Sequence, residues 1–371
     1  MDTMEAETAT LYELLGRHWT VGAPVTNVVF DPAGDGVGFA LADGALAIAP
    51  LKDGEPPQDR CRMALDQGRM TISPRRKPVP PVMKVRIGDA PLQLASLGTS
   101  GFVTGEGGRL LEVSASGVTR VAANHGAGID LLTAVGDGGV LAASDGTVIF
   151  YRAEGDVGWL QQRAGGRVSA MAVAPDSRRF ALGTDGGVLV RSFGARLEPV
   201  ASYVLGSVST LSWSPDGNWL AASIAGADIA LVRLADSRIV RIANYPAEVA
   251  SLSWSADSRI LVTSGGYRMV AWDVTSLDGG SERPASVVTG RAGFVLVETV
   301  EMHPVRPLVA AGYGDGRVAV AKIGQGDELI VKSPGRGAVQ VLRWSRDGQH
   351  LAVGTRDGEA AVVTFPPYIF K

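Results

Sequence analysis

The stretch "LSWSPDGNWLAAS", residues 211–223, decides the fold, because "LSWSADSRILVTS" at 252–264 nearly repeats it. The same thirteen-residue frame recurs as "LRWSRDGQHLAVG" at 342, "VEMHPVRPLVAAG" at 300, "MAVAPDSRRFALG" at 171, "LTAVGDGGVLAAS" at 132 and "VVFDPAGDGVGFA" at 28. A weaker copy, "QLASLGTSGFVTG", stands at 93. Successive starts lie 65, 39, 39, 40, 41, 48 and 42 residues apart, so a period near 40 runs through the chain.

Each copy has the same physical plan. An apolar run such as "VSTLSW" ends at a turn such as "SPDG", where Pro215 presets φ and Gly217 allows a positive one. A second run with small residues follows, as in "NWLAAS". A second tight turn comes next in most units, at Asp43-Gly44, Asp145-Gly146, Asp185-Gly186, Asp315-Gly316 and Asp357-Gly358. Asp-Gly between apolar runs is a hairpin signal. A third run such as "GTVIFYR" (146–152) and a more polar fourth run such as "SRIVRIAN" (237–244) complete the unit. The fourth has the polarity of an edge strand. Four antiparallel strands per unit predict the blade of a β-propeller.

The units resemble WD40 repeats. Trp272-Asp273 is the one clean Trp-Asp ending, and the Asp-Gly turns at Asp43, Asp145, Asp185, Asp315 and Asp357 match the family's structural Asp. The Gly-His usual before the first strand is missing; His125 in "NHGAG" stands nearest, in reversed order. The resemblance covers roughly residues 10–366. The "WSPDG" units also resemble the propeller of TolB-like proteins, which are exported. The repeats predict an all-β chain forming a single closed β-propeller domain over 1–371, with eight blades by count and seven as the alternative if the weak unit at 93 is dropped. The last unit ends before a fourth strand, and "TLYELLGRHWT" (10–20) has no other home. The N-terminal strand is therefore expected to close the ring, as WD40 propellers commonly do.

The 65-residue gap holds a proline-rich basic insertion, residues 50–84, placed between the third and fourth strands of the first blade. Its latter half carries Arg75, Arg76 and Lys77 among four prolines, which favours an extended course. Two readings stay open for it: a docking peptide presenting Arg75, Arg76 and Lys77, or a solvated linker.

The bulk numbers narrow the function. The chain has 371 residues, a net charge of -3, 20% charged residues and 48 glycines. Near-neutral charge argues against nucleic acid and against a membrane field as partners. A single cysteine, Cys61, excludes an internal disulfide framework and a multi-cysteine zinc site. The N-terminal "MDTMEAETAT" has no apolar signal core, and no run of 18 apolar residues occurs, so a cytoplasmic protein is expected.

No catalytic motif stands out, and no cofactor or metal is expected. The four histidines, His18, His125, His303 and His350, lack metal-ligand spacing and read as turn or surface residues. No G-x-S-x-G elbow occurs, and the glycine clusters precede no helix. What remains is surface. Loops expected on one face carry Arg163, Arg167, Tyr245, Tyr267, Arg268, Arg291, Arg336 and Arg356, with Trp19 added by the N-terminal segment. Arg, Tyr and Trp are the commonest binding hot spots, and Arg pairs with carboxylates. The expectation is a non-catalytic protein–protein interaction scaffold whose rim binds other proteins with acidic surfaces. The alternative is a propeller enzyme, lyase- or hydrolase-like, or a metabolite sensor, using the central channel.

Overall fold

A computed structural model describes residues 10–64, 69–89, 91–97, 101–114, 116–124, 128–136, 138–152 and 160–370. Eight four-stranded antiparallel sheets follow one another as blades. In the fifth blade the order from the axis outwards is Val208–Trp213, Trp219–Ile224, Asp228–Arg233 and Arg238–Ile242. The innermost strands neighbour one another around the whole ring, and that of the eighth blade, Val339–Trp344, lies beside that of the first, Val25–Phe30. The weak unit at 93 is a full blade, built from Leu94–Ser96, Phe102–Glu106, Arg109–Ser114 and Gly117–Asn124, so the count is eight and not seven.

Burial follows position in the blade. The second and third strands are covered on both faces by neighbouring blades: Trp219–Ile224 and Glu359–Thr364 are buried throughout. Outer strands alternate, as Arg238–Ile242 does. That is why the middle runs are uninterrupted apolar stretches, whereas the outer runs are mixed.

The repeated Ser/Asp turn satisfies itself. The Ser214 hydroxyl donates to Asp216 Oδ1 and accepts from the Trp219 amide at 2.9 Å, while Asp216 Oδ1 also accepts from the Asn218 amide at 3.0 Å. Ser255 with Asp257 and Ser345 with Asp347 repeat the pattern. In the seventh blade His303 replaces the serine, and its Nδ1 accepts from the amides of Val305 (3.1 Å) and Arg306 (3.0 Å). The recurring tryptophans tie blades together. Trp213 Nε1 donates to Ala172 O (3.1 Å), Trp254 Nε1 to Ser212 O (3.2 Å) and Trp344 Nε1 to Glu301 O (3.2 Å), each in the preceding blade. The near-identical letters are thus packing and turn chemistry.

The eighth blade is completed by Gly16–Thr20, which pairs antiparallel with Glu359–Thr364 from Gly16↔Val363 to Thr20↔Glu359. A short helix, Leu11–Leu15, precedes it and is started by a capping box between Thr10 and Glu13. The insertion does lie between the third strand of blade one, Ala45–Pro50, and its fourth, Met83–Arg86. It carries a 3-10 turn, Pro57–Arg60, and a small hairpin of Cys61–Ala64 with Arg69–Ile72.

Candidate functional site: the arginine-bearing rim

Two kinds of segment meet on one face of the ring. The turns between second and third strands are hydrogen-bonded to the loops that lead into the next blade. Gly146 O accepts from Ala164 N (2.8 Å), Asp315 O from Gly335 N (2.8 Å) and Gly358 O from Val21 N (2.8 Å). At Gly316 the approach is so close that a Cβ would sit 2.1 Å from Gly335 O, so glycine is required there. The Ser/Asp turns occupy the opposite ends of the same strands. The rim is therefore a separate surface with a pinned backbone.

The turn aspartates differ in their work. Asp43 Oδ1 accepts from Ala45 N (3.2 Å) and Asp315 Oδ1 from Arg317 N (3.0 Å). Asp185 accepts from the Ser207 hydroxyl at 3.3 Å. Asp145 donates its amide to Asp130 Oδ2 at 3.2 Å, and the Asp357 carboxylate stands against Gly337.

The arginines fall into three sectors. Arg163 and Arg167 line a recess of about 220 Å³ shared with Asp130 and Asp145. Arg268 and Arg291 lie where blade six meets blade seven, and Tyr267 is exposed beside them. Arg336 and Arg356 lie where blade seven meets blade eight. There the Arg356 amide donates to Ala338 O (2.9 Å), and Arg336 stands 3.7 Å from the buried Glu359. Glu359 also accepts from Tyr12 Oη (2.8 Å) and faces Lys332 Nζ at 3.5 Å.

Two expected rim residues are turned inward. Trp19 is only 9% exposed, because the insertion covers it and its Nε1 donates to Pro80 O at 2.8 Å. Tyr245 accepts from Trp272 Nε1 (2.6 Å) and shares a 2.8 Å hydrogen bond with Thr263, and burial pushes its hydroxyl up to about 12. Its polar end is spent on holding blade six together. In the insertion, Arg75 is ion-paired to Asp53, while the amides of Arg76 and Lys77 donate to Glu55 (2.9 and 2.7 Å). Those amide bonds, Lys77's first, pull the Glu55 carboxyl below its ordinary value although burial opposes them. Arg75 and the backbone of the segment are tied to the segment's own chain, while Arg76 and Lys77 are exposed.

One rim residue was not singled out by type. Phe294 in "TGRAGF" is 100% exposed. Its loop is fixed by the Gly293 amide donating to Tyr267 O at 3.0 Å and by the Arg291 amide donating to Glu328 at 3.3 Å. Glu328 also binds Arg317 at 3.0 Å, and Arg317 lies 3.8 Å over the Tyr313 ring. The signal available in sequence was a bulky apolar residue inside a glycine-bounded loop, where no strand needs it.

The channel offers less. A cavity of about 430 Å³ is lined by Asn27, Thr133, Arg343 and Arg346, among others. Burial raises the Glu301 carboxyl, and Arg343 at 3.0 Å opposes that shift. His303 is buried and its Nε2 is 3.1 Å from Gly348 O. His350 Nδ1 is 2.9 Å from Thr364 Oγ1, and His18 stacks on Tyr12. His125 lies outside the described residues. Among the described residues no group of His, Cys, Asp or Glu is arranged to hold a metal ion, and no helix is long and apolar enough to cross a membrane.

Comparison with known proteins agrees with this architecture. Residues 199–228 match the family model WD40, described as "WD domain, G-beta repeat". That match begins in the outer strand of blade four and ends at the third strand of blade five, so the sequence repeat runs one strand out of phase with the blade. A stretch of 110 residues is 31% identical to the serine-threonine kinase receptor-associated protein of Dictyostelium discoideum, covering 30% of this chain and 35% of that relative. The chain thus spans about a third of that relative's length. The β-propeller domain of Myceliophteria thermophila Cps50 (Swd1) superposes with a TM-score of 0.56 over 94% of this chain and 100% of that one, at 12% identity.

Proposed function

We propose that this chain, a WD40-repeat β-propeller, is a non-catalytic interaction scaffold that holds an acidic protein partner on its rim. The observation that carries the reading is the sector of Tyr267, Arg291 and Phe294. A fully exposed phenylalanine sits on a loop whose backbone is pinned by hydrogen bonds, next to an arginine that is 71% exposed. A solvent-facing aromatic contributes nothing to folding where it stands, and it becomes favourable once another surface covers it. Arg268, Arg336 and Arg356 extend positive charge along the rim from that point. Rigid display keeps the ordering cost of association low. Proteins of this repeat type commonly bind other proteins, which agrees with the reading.

The test is co-purification with a stoichiometric partner from extracts of the protein's own cells. Combining Phe294→Ser with Arg291→Glu is expected to lose that partner. Val305→Ser is the control, since Val305 is 71% exposed in the turn after the innermost strand of blade seven, at the strand ends opposite the rim. Retention of the partner at full stoichiometry by the double variant would overturn the reading.

A further inference from the structure

We infer that the insertion of blade one is a strap that locks the ring's closure, so that the closing strand and the strap open together as one unit. The first observation is Arg17, in the closing strand, which is only 1% exposed. Among the described residues its guanidinium donates to no group of its own blade. Instead Nη1 donates to Pro50 O (2.7 Å) and Lys52 O (3.5 Å), and Nη2 donates to Leu51 O (3.1 Å). Three successive carbonyls at the start of the insertion thus wrap one buried cation. Asp53 stands 3.8 Å from Nε and also pairs with Arg75 from the far side of the insertion. A fully buried arginine is tolerated only where such acceptors surround it.

The remaining attachments run the length of the excursion. In its middle, Arg60 donates to Leu14 O, just before the closing strand, and to Ser73 O at 2.6 Å. Ile72 packs on the cluster of Tyr12 and Leu15. Near its end, Pro80 O receives Trp19 Nε1 at 2.8 Å, and Val79 and Val82 pack on the cluster of Trp19 and Val21. Lys84, already in the outer strand of blade one, donates to Val21 O at 2.9 Å.

Beginning, middle and end of the insertion are therefore fastened to residues 14–21. The closing strand has one hydrogen-bonded edge, against Glu359–Thr364, and its inward side chains are seated in the strap. Removing the strap would strip Arg17 of the carbonyls that accept its hydrogen bonds, and removing the strand would leave three carbonyls without their donor and Asp53 with Arg75 as its remaining cation. Each half is costly without the other, which is the condition for joint opening.

Hydrogen exchange on the intact protein reads this directly, and Cys61, the single cysteine, supplies a thiol probe inside the strap. In Arg17→Met, exchange of the Gly16–Thr20 amides and of strap residues 72–77 is expected to rise together by roughly tenfold or more, with blades four and five unchanged. Labelling of Cys61 should accelerate by a similar factor. If Arg17→Met fails to fold, Trp19→Phe, which removes the hydrogen bond to Pro80 O and trims the indole, should give the same joint rise with smaller amplitude. A strap that exchanges and labels freely while Gly16–Thr20 stays protected, in the unaltered protein or in either variant, overturns the proposal.

Discussion

The seam and the rim both rely on arginine, and they use it in opposite ways. At the seam, Arg17 and Arg60 are buried and direct their donors to backbone carbonyls of the same chain. At the rim, Arg291 and Arg336 are 71% and 62% exposed, and among the described residues each side chain has a single ion pair, at 3.7 Å. The first arrangement is committed to the fold; the second leaves its donors available. The difference lies in burial and in what fills the remaining hydrogen-bonding capacity, since the residue type is the same.

Arg17→Met attacks the comparison at its strongest point. Removing a buried cation from its acceptors is expected to cost about 3–5 kcal/mol, read as a lower midpoint in denaturant unfolding. A loss below about 1 kcal/mol would show that Arg17 is no more committed than a rim arginine. Trp254→Phe should fall next, at about 2 kcal/mol by the same measurement, because the hydrogen bond between blades, to Ser212 O, is lost and the smaller ring leaves part of the indole's space unfilled.

A pH series sharpens the contrast further. Burial lowers the basicity of both His303 and His350 below the ordinary value of 6.5, and both lie in the blades next to the seam. A depressed histidine contributes stability that is complete above pH 6.5 and is lost as acid protonates the unfolded chain first and then the folded one. The melting temperature should therefore fall on acidification below that value. His303→Asn, which keeps an acceptor for the Val305 and Arg306 amides, should make that fall shallower. An unchanged slope would remove His303 from the account.

The smallest effect on stability belongs to the rim. Phe294→Ser and Arg291→Glu should each stay within about 0.5 kcal/mol of the parent protein. Their effect on partner affinity should be roughly 30-fold, measured by titration against the purified partner. A large stability loss from Phe294→Ser would mean that its side chain is a folding element and would blur the two regions into one.

Much of the ring could be read from letters alone, because blades repeat and every blade needs the same turn. Ser214, Asp216 and Trp213 recur since the hydrogen bonds they make are local or one blade away. The position of the insertion followed from where the period broke, and the closing strand from a leftover segment beside an unfinished blade. The destiny of Trp19 and Tyr245 did not follow. Their partners are Pro80 O and the side chains of Thr263 and Trp272, distant in sequence, and a carbonyl carries no residue signature. Arg17 was invisible for the same reason: its acceptors are peptide oxygens in a segment whose composition reads as solvated. Phe294 lies three residues from Arg291 in the sequence, but residue type alone does not distinguish a buried aromatic from a bare one.

The pairing of Gly16–Thr20 with Glu359–Thr364 has a consequence for the order of events during synthesis. The closing strand leaves the ribosome before any blade exists, and its edge partner is made after seven others. At about 5–20 residues per second the wait is on the order of tens of seconds. The strap, by contrast, emerges within the first blade. Arg17 can take the Pro50, Leu51 and Lys52 carbonyls long before the last hairpin is translated, so the first strand is parked against blade one and kept from pairing elsewhere. Closure then becomes a search by one late hairpin for a docked edge, a shorter-range event than joining two free chain ends.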